Sequence, residues 1–158
     1  MQKEDDFMAE SDLVIPILEA LWLAKKATEC MPELPAGMKP SHIRVLDVIH
    51  KQHRQNGYVR ITDISTAMHI TKPSITKLIN ELVDLGTVKK TTAAADKRIV
   101  LVELSPFGRQ CVQTYVLNYH AKLAKSFSKL DREKYLSMIE TVEFIYQSMK
   151  EVSKNNEF

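Results

Sequence analysis

A chain of 158 residues, 44% hydrophobic and 27% charged, can bury a core and suits one globular domain or a small domain with extensions. No apolar run approaches the ~18 residues of a membrane span, and the acidic opening Lys3-Glu4-Asp5-Asp6 is unlike a signal peptide, so the expected location is the cytoplasm, with no membrane partner. The net charge of +2 hides an uneven distribution: residues 1 to 20 carry one Lys against six acids, which leaves the remainder at +7.

In chain order, Leu18, Leu21, Trp22 and Leu23 predict a first helix from Leu13 or Val14 to Met31, with Pro16 tolerable only in its first turn. Pro32, Pro35, Gly37 and Pro40 mark a linker, after which Ser41 caps a helix to about His53 with Ile43, Leu46 and Ile49 inward. Asn56-Gly57 is a turn. Tyr58 to Ile61 reads as a short strand, Thr62 as the cap of a short helix to Met68, and His69 to Thr71 as a turn into the next helix. There Thr71 is the cap and Pro73 sits in the first turn. Ile75, Leu78, Ile79, Leu82 and Val83 form one apolar stripe of that helix, opposite Pro73, Thr76, Lys77, Asn80 and Asp84. The polar face is short and cationic, able to enter a DNA groove and to offer donors to base edges and phosphates. The pair of helices is a helix-turn-helix.

Gly86 stands where a left-handed helix stop is wanted. The β-rich runs from Val88 to Thr92 and from Ile99 to Leu104 bracket a small, basic tip, so they predict a hairpin, the wing. Ser105-Pro106 opens a long helix to about Ser128, and Asp131 caps a last helix to about Ser153. The expected fold is mainly α with a small β-hairpin: a winged helix-turn-helix over residues 41–104, flanked by long terminal helices in 1–40 and 105–158. Leu18, Leu21 and Trp22 at one end, and Tyr135, Met138, Ile139, Val142, Ile145 and Met149 at the other, exceed what one small domain can cover. A homodimer buries them economically, so these are the candidate dimerisation residues.

Several features have plain structural readings. Cys30 and Cys111 lie far apart with no CxxC spacing and read as buried reduced thiols. Met31, Met38, Met68, Met138 and Met149 read as core filling. His42, His50 and His53 on one helix and His120 on another invite a metal, yet no acid or Cys completes a ligand set at the expected spacing, so no metal or other cofactor is expected. There is no Gly-rich phosphate loop, no paired carboxylates in a cleft-like context and no nucleophile with a base, so no enzyme is expected. Lys72 and Lys77 also fit a solvated face. Ser74 either binds phosphate through its hydroxyl or completes a first turn. Asp96 and Arg98 share a face of an extended wing and also fit a surface ion pair worth ~0 to 1 kcal/mol.

The run Asp96-Lys97-Arg98-Ile99-Val100-Leu101-Val102-Glu103-Leu104-Ser105-Pro106-Phe107-Gly108 resembles the signature of the MarR family of bacterial transcription regulators, where an Asp-x-Arg wing tip leads through an apolar strand into Leu-Ser/Thr and Gly. Thr71-x-Pro73-Ser74-x-Thr76-Lys77 resembles the family's reading helix, and together with the helix order the likeness spans about Leu13 to Ser153. The resemblance implies a homodimer on double-stranded DNA at a palindromic operator, most often a repressor. Reading helices enter successive major grooves and each wing arginine enters a minor groove. The DNA-contacting set it implies is Thr71, Lys72, Pro73, Ser74, Thr76, Lys77 and Asn80 with Asp96, Lys97 and Arg98. It also implies release by a small aromatic or phenolic ligand.

Two branches of the family suggest alternative controls. A zinc-sensing branch has a His near the start of the second helix, as His42 is, plus a His pair at four-residue spacing after the wing; here Tyr115, Tyr119 and a single His120 stand instead. Peroxide sensors carry a reactive Cys near the start of the first helix, whereas Cys30 lies near its end. A winged-helix protein-interaction module that does not bind DNA is the remaining rival.

Overall fold

The computed structural model describes residues 2–93, 96 and 98–155, and side chains from residue 12 to residue 154 apart from Ala94, Ala95 and Lys97. Two compact units divide the chain, residues 1–119 and 120–158.

The first unit opens with helix α1 (Gln2–Glu29), which begins well before the expected start and places Pro16 in its interior. Residues 2–12 contain no Gly or Pro to interrupt a helix. An interior proline removes one backbone bond at a cost of about 3 kcal/mol, which a helix of 28 residues absorbs. Helix α2 (Pro40–Asn56) is capped by Lys39 and not by Ser41: the Lys39 N–H donates to His42 Nδ1 at 3.2 Å. Gly57, at φ 75, closes its other end through a bond to the His53 carbonyl.

The strand expected from Tyr58 to Ile61 shrinks to a single bridge between Arg60 and Leu101, beside a bond from Val102 N–H to the Val59 carbonyl. The next helix supplies the reason. Helix α3 (Ile61–Met68) starts at once, with the Asp63 carboxylate accepting the Arg60 N–H at 3.1 Å, so this end is closed three residues on and Thr62 is not the cap. His69 ends α3 at φ 56, the one described non-glycine residue in the left-handed region, while the Ser65 hydroxyl donates to the Ile70 carbonyl at 2.6 Å. Helix α4 (Lys72–Asp84) then begins with the expected Thr71 cap, whose Oγ1 accepts the Ser74 N–H.

Strands β1 (Val88–Thr92) and β2 (Val100–Leu104) pair antiparallel, with Val88 opposite Leu104 and Lys90 opposite Val102. After the Ser105 cap come α5 (Pro106–Val112), a π-helical stretch (Gln113–Asn118) and the first residue of α6 (Tyr119–Ser126). Ile43, Leu46 and Ile49 of α2 meet Ile64 of α3, Ile75, Ile79 and Leu82 of α4, Val102 of β2 and Val112 and Val116 beyond the wing in one core. Met68 and Cys111 are buried in it, and Met31 and Met38 pack half-buried against it. Cys30 is exposed, contrary to the expectation of two buried thiols, because α1 stops at Glu29 and the linker starts there.

In the second unit, α6 and a short 3-10 turn (Phe127–Lys129) precede α7 (Arg132–Asn155). Asp131 Oδ1 caps α7 by accepting the Glu133 and Lys134 N–H groups at 2.8 and 3.2 Å. Met138 and Met149 are exposed on α7 with Ile139 and Val142, so neither methionine fills a core within the chain.

The foot of the hairpin is a buried polar knot. Thr87 Oγ1 donates to the Leu82 carbonyl at 2.9 Å, the Ser105 N–H to the Thr87 carbonyl at 2.9 Å, and the Ser105 hydroxyl to the Gly86 carbonyl at 2.6 Å; the Gly108 N–H donates back to Ser105 Oγ at 3.0 Å. A Cβ at Gly108 would lie 2.0 Å from the Thr87 carbonyl oxygen, a backbone atom held by the knot. Gly108→Ala is therefore expected to destabilise the protein by roughly 1 to 3 kcal/mol, as overpacking against an immovable neighbour does, read as a lower urea midpoint; an unchanged midpoint contradicts this packing.

Candidate nucleic-acid interface

Helix α4 carries the chemistry because its two faces separate cleanly. Ile75, Ile79 and Leu82 are buried and Leu78 and Val83 half-buried, so the apolar stripe fixes the helix in the core. Lys72, Pro73, Ser74, Thr76, Lys77 and Asn80 are exposed, and Lys72, Pro73, Thr76, Lys77 and Asn80 line one open face with Glu81 and Asp84. Thr71 and Ser74 hydroxyls lie 2.9 Å apart, and the Thr76 hydroxyl donates to the Lys72 carbonyl at 2.8 Å. Three of the expected hydroxyl groups thus take part in local structure, and their remaining lone pairs can still accept hydrogen bonds.

At the hairpin tip the expected pair is formed. Arg98 donates its backbone N–H to Asp96 Oδ1 at 2.9 Å, its Nε to the same oxygen at 3.2 Å and its Nη2 to Oδ2 at 3.3 Å. The side-chain and backbone bonds from Arg98 hold the Asp96 carboxyl below its ordinary range. The Arg98 side chain is 92% exposed, so the fork aims a guanidinium outward. Lys97, the third expected tip residue, lies outside the described residues.

Four contributors were not read from the sequence. Lys90 of β1 donates from Nζ to Asn80 Oδ1 at 2.5 Å, joining the hairpin to the exposed face of α4. Arg60 stacks over the Tyr58 ring at 5.1 Å and shares a groove with Thr62, Arg98 and Ile99, which places a second guanidinium beside the tip. The third is His42, 1% exposed, with Nδ1 accepting from Lys39; its Nε2–H therefore donates to Glu81 Oε2, at 2.7 Å. Lys39 Nζ reaches the same oxygen at 3.4 Å and completes the group. Hydrogen bonding from His42 first, and then the bond and charge of Lys39, hold the Glu81 carboxyl below its ordinary range despite partial desolvation. No spacing rule joins residues 39 positions apart, but an acid opposite a buried His is what tertiary packing supplies.

With both ring nitrogens engaged, His42 has none left for a metal, and among the described residues no group of three or more His, Cys, Asp or Glu could hold one. His50 and His53 share a groove with Arg54, Glu103 and Arg109. Among the described residues no helix is long and apolar enough to cross a membrane.

Residues 36–99 match the MarR family. Among solved structures the fold is similar to AbsC, a MarR family transcriptional regulator from Streptomyces coelicolor, with a TM-score of 0.72 and 17% identity over 90% of this chain and 95% of AbsC. It is similar to BpsR of Bordetella bronchiseptica, whose DNA binding is regulated by 6-hydroxynicotinic acid (TM-score 0.63, 19% identity, 85% and 98% covered). FabT of Streptococcus pneumoniae, solved in complex with DNA, aligns with a TM-score of 0.61 and 16% identity over 92% of this chain and 99% of FabT. At these identities the likeness is one of fold. No curated protein matches the sequence.

The lowered Glu81 carboxyl has a defined pH signature. A carboxyl depressed on folding contributes stability that is fully present above its ordinary value of 4.5 and lost as the pH falls through its folded value. Glu81→Gln is expected to flatten the acid limb of the stability profile, measured by urea unfolding from pH 7 to pH 3. A variant limb as steep as the parent's counts against the His42–Glu81 bond.

Proposed function

We propose, from the match of residues 36–99 to the MarR family, that the chain is a sequence-specific DNA-binding transcriptional regulator, a repressor acting as a homodimer on a palindromic operator. The observation that carries this reading is the outward-facing Arg98 fork, held by Asp96, on the hairpin that packs against a helix whose Lys72, Thr76, Lys77 and Asn80 face is open. Thr71 caps that helix and Pro73 and Ser74 lie in its first turn; in this reading that end meets base edges and phosphates. An A·T-rich minor groove is narrow and strongly negative, which suits a guanidinium aimed outward.

The dimer rests on exposure. Leu18 and Trp22 of α1 are exposed, as are Met138, Ile139, Val142 and Met149 of α7, while Leu21, Tyr135 and Ile145 are half-buried. One reading helix contacts only a few bases. Two related by a two-fold axis read half-sites about 34 Å apart, one duplex turn, as an inverted repeat. The effector class is carried by the family likeness and by BpsR, whose regulator is an aromatic hydroxy acid: a small aromatic or phenolic molecule that lowers DNA affinity by favouring a different half-site spacing.

A footprint on the DNA upstream of the chain's own gene, followed by salt titration on that duplex, tests the reading: affinity is expected to fall steeply with salt, and a salt-independent or absent interaction favours a protein-interaction module. On a verified operator, Arg98→Ala is expected to cost roughly 1 to 3 kcal/mol, mostly at flanking A·T-rich positions. Unchanged affinity removes the wing from the interface. Deleting residues 135–158 is expected to give a monomeric or aggregating protein that no longer holds the palindrome. A soluble monomeric truncation that binds the full site as tightly as the parent overturns the dimer.

A further inference from the structure

We propose that Arg60, stacked on Tyr58 at the start of α3, grips a DNA phosphate at the rim of the minor groove that Arg98 enters, so that two guanidiniums and not one hold the DNA beside the wing. The inference rests on the DNA-reading assignment above and adds to it a residue outside the wing motif. Val59 is fully buried, while Tyr58 and Arg60 on either side of it are exposed. The Arg60 guanidinium carbon lies 5.1 Å from the centre of the Tyr58 ring, and Nη2 lies 3.5 Å from its hydroxyl. A guanidinium held over a ring keeps most of its five N–H donors for a further partner. Among the described residues no carboxylate pairs with it. The Asp63 carboxylate accepts the Arg60 backbone N–H at 3.1 Å and the Thr62 hydroxyl at 3.4 Å, and the Asp96 carboxylate is bound to Arg98. The Arg98 charge is thus offset within the wing, whereas Arg60 presents a whole unit of charge.

The backbone that carries Arg60 is tied to the hairpin. Arg60 bridges to Leu101 of β2, and the Val102 N–H donates to the Val59 carbonyl at 2.9 Å. Arg60, Thr62 and Arg98 therefore line one groove with Ile61, Ile99 and Val100. Position selects a phosphate over a base. Leu101 is three residues from Arg98, roughly 10 Å along an extended strand. The minor groove is about 7.5 Å deep, so with Arg98 at its floor the Arg60 backbone stands back at the rim, where the phosphates run. The planar fork of an arginine matches two oxygens of one phosphate.

The test uses the full-length protein and a duplex that the parent selects from a random pool. Arg60→Gln is expected to weaken binding roughly 10-fold and to reduce the slope of log affinity against log salt by about 0.9, the mark of one phosphate. Its base preferences are expected to match the parent's, whereas Arg98→Ala loses preference at the A·T-rich flank. Arg60→Lys keeps the charge and the backbone bonds and is expected to hold the parent's slope, which tells a lost phosphate from a lost fold. Tyr58→Leu is expected to cost roughly 2- to 5-fold with the slope unchanged, because Tyr58 positions the guanidinium without touching DNA. Replacing single phosphates of the duplex by neutral methylphosphonates is expected to weaken the parent at one position beside each A·T-rich flank and to leave Arg60→Gln unaffected there. Three results overturn the proposal while leaving DNA reading intact: Arg60→Gln with the parent's affinity and slope, which makes the pair a surface stack; Arg60→Gln with a shifted base preference, the mark of a base contact; and a phosphate scan in which parent and Arg60→Gln respond alike at every position. A parent that selects no sequence at all refutes the DNA-reading assignment as well, and so is told apart from failure of the Arg60 contact alone.

Discussion

The angle between α4 and the hairpin is set where the two meet, by the carbonyls of Leu82, Gly86 and Thr87 satisfied by the hydroxyls and amides of Thr87 and Ser105. Both side chains are buried, Thr87 completely, so each unmade bond would strand a polar group away from water at a cost of about 1 to 3 kcal/mol. Such a knot has one arrangement that satisfies all its members, and it carries the exit of α4, the start of β1, the end of β2 and the cap of α5 together. The sequence Leu-Ser-Pro-x-Gly at 104 to 108 is the covalent record of that geometry: a side-chain cap, a first-turn proline, and a residue with no Cβ where α5 passes the Thr87 carbonyl.

This explains why the middle of the chain was readable from its residues. The stripe from Ile75 to Val83, the Thr71 cap, Gly86 and the Asp96–Arg98 pair are all local: each depends on partners within five residues or on a helical repeat. The misplaced features have distant or unusual partners. Lys39 caps α2 through the ring of His42, a group outside the usual capping residues, and that ring is then completed by Glu81 from another helix. Tyr58 to Ile61 had the composition of a strand, but Asp63 closes a helix end there and leaves one bridge. Pro16 reads as a boundary in a short window and is an interior residue in a long helix. Cys30 and the α7 methionines were assigned to a core by residue type alone, and type does not say whether a second surface exists to bury them.

Lys90 and Asn80 belong to the same class of hidden feature. Ten residues and a turn separate them, and in the sequence each is one more polar residue on a solvent face. Together they tie the hairpin to the exposed face of α4. The same holds for Arg60, whose stacking on Tyr58 holds a guanidinium beside the hairpin tip, although neither residue belongs to the tip motif. The candidate interface is therefore wider than its motifs, and the added candidates come from the strand and from the start of α3.

His69 carries a consequence for how this sequence can drift. Its backbone sits at φ 56, in a region where a side chain with a Cβ costs roughly 1 to 2 kcal/mol, and it opens the three-residue turn from α3 into α4. Glycine, asparagine and aspartate enter that region most easily, so those three form the accessible neighbourhood of the position, whereas valine, isoleucine and threonine are barred by branching at Cβ. The hinge between the two helices thus has a narrow alphabet even though it faces solvent. Variation elsewhere on that surface can retune what α4 meets; variation here re-aims the whole helix.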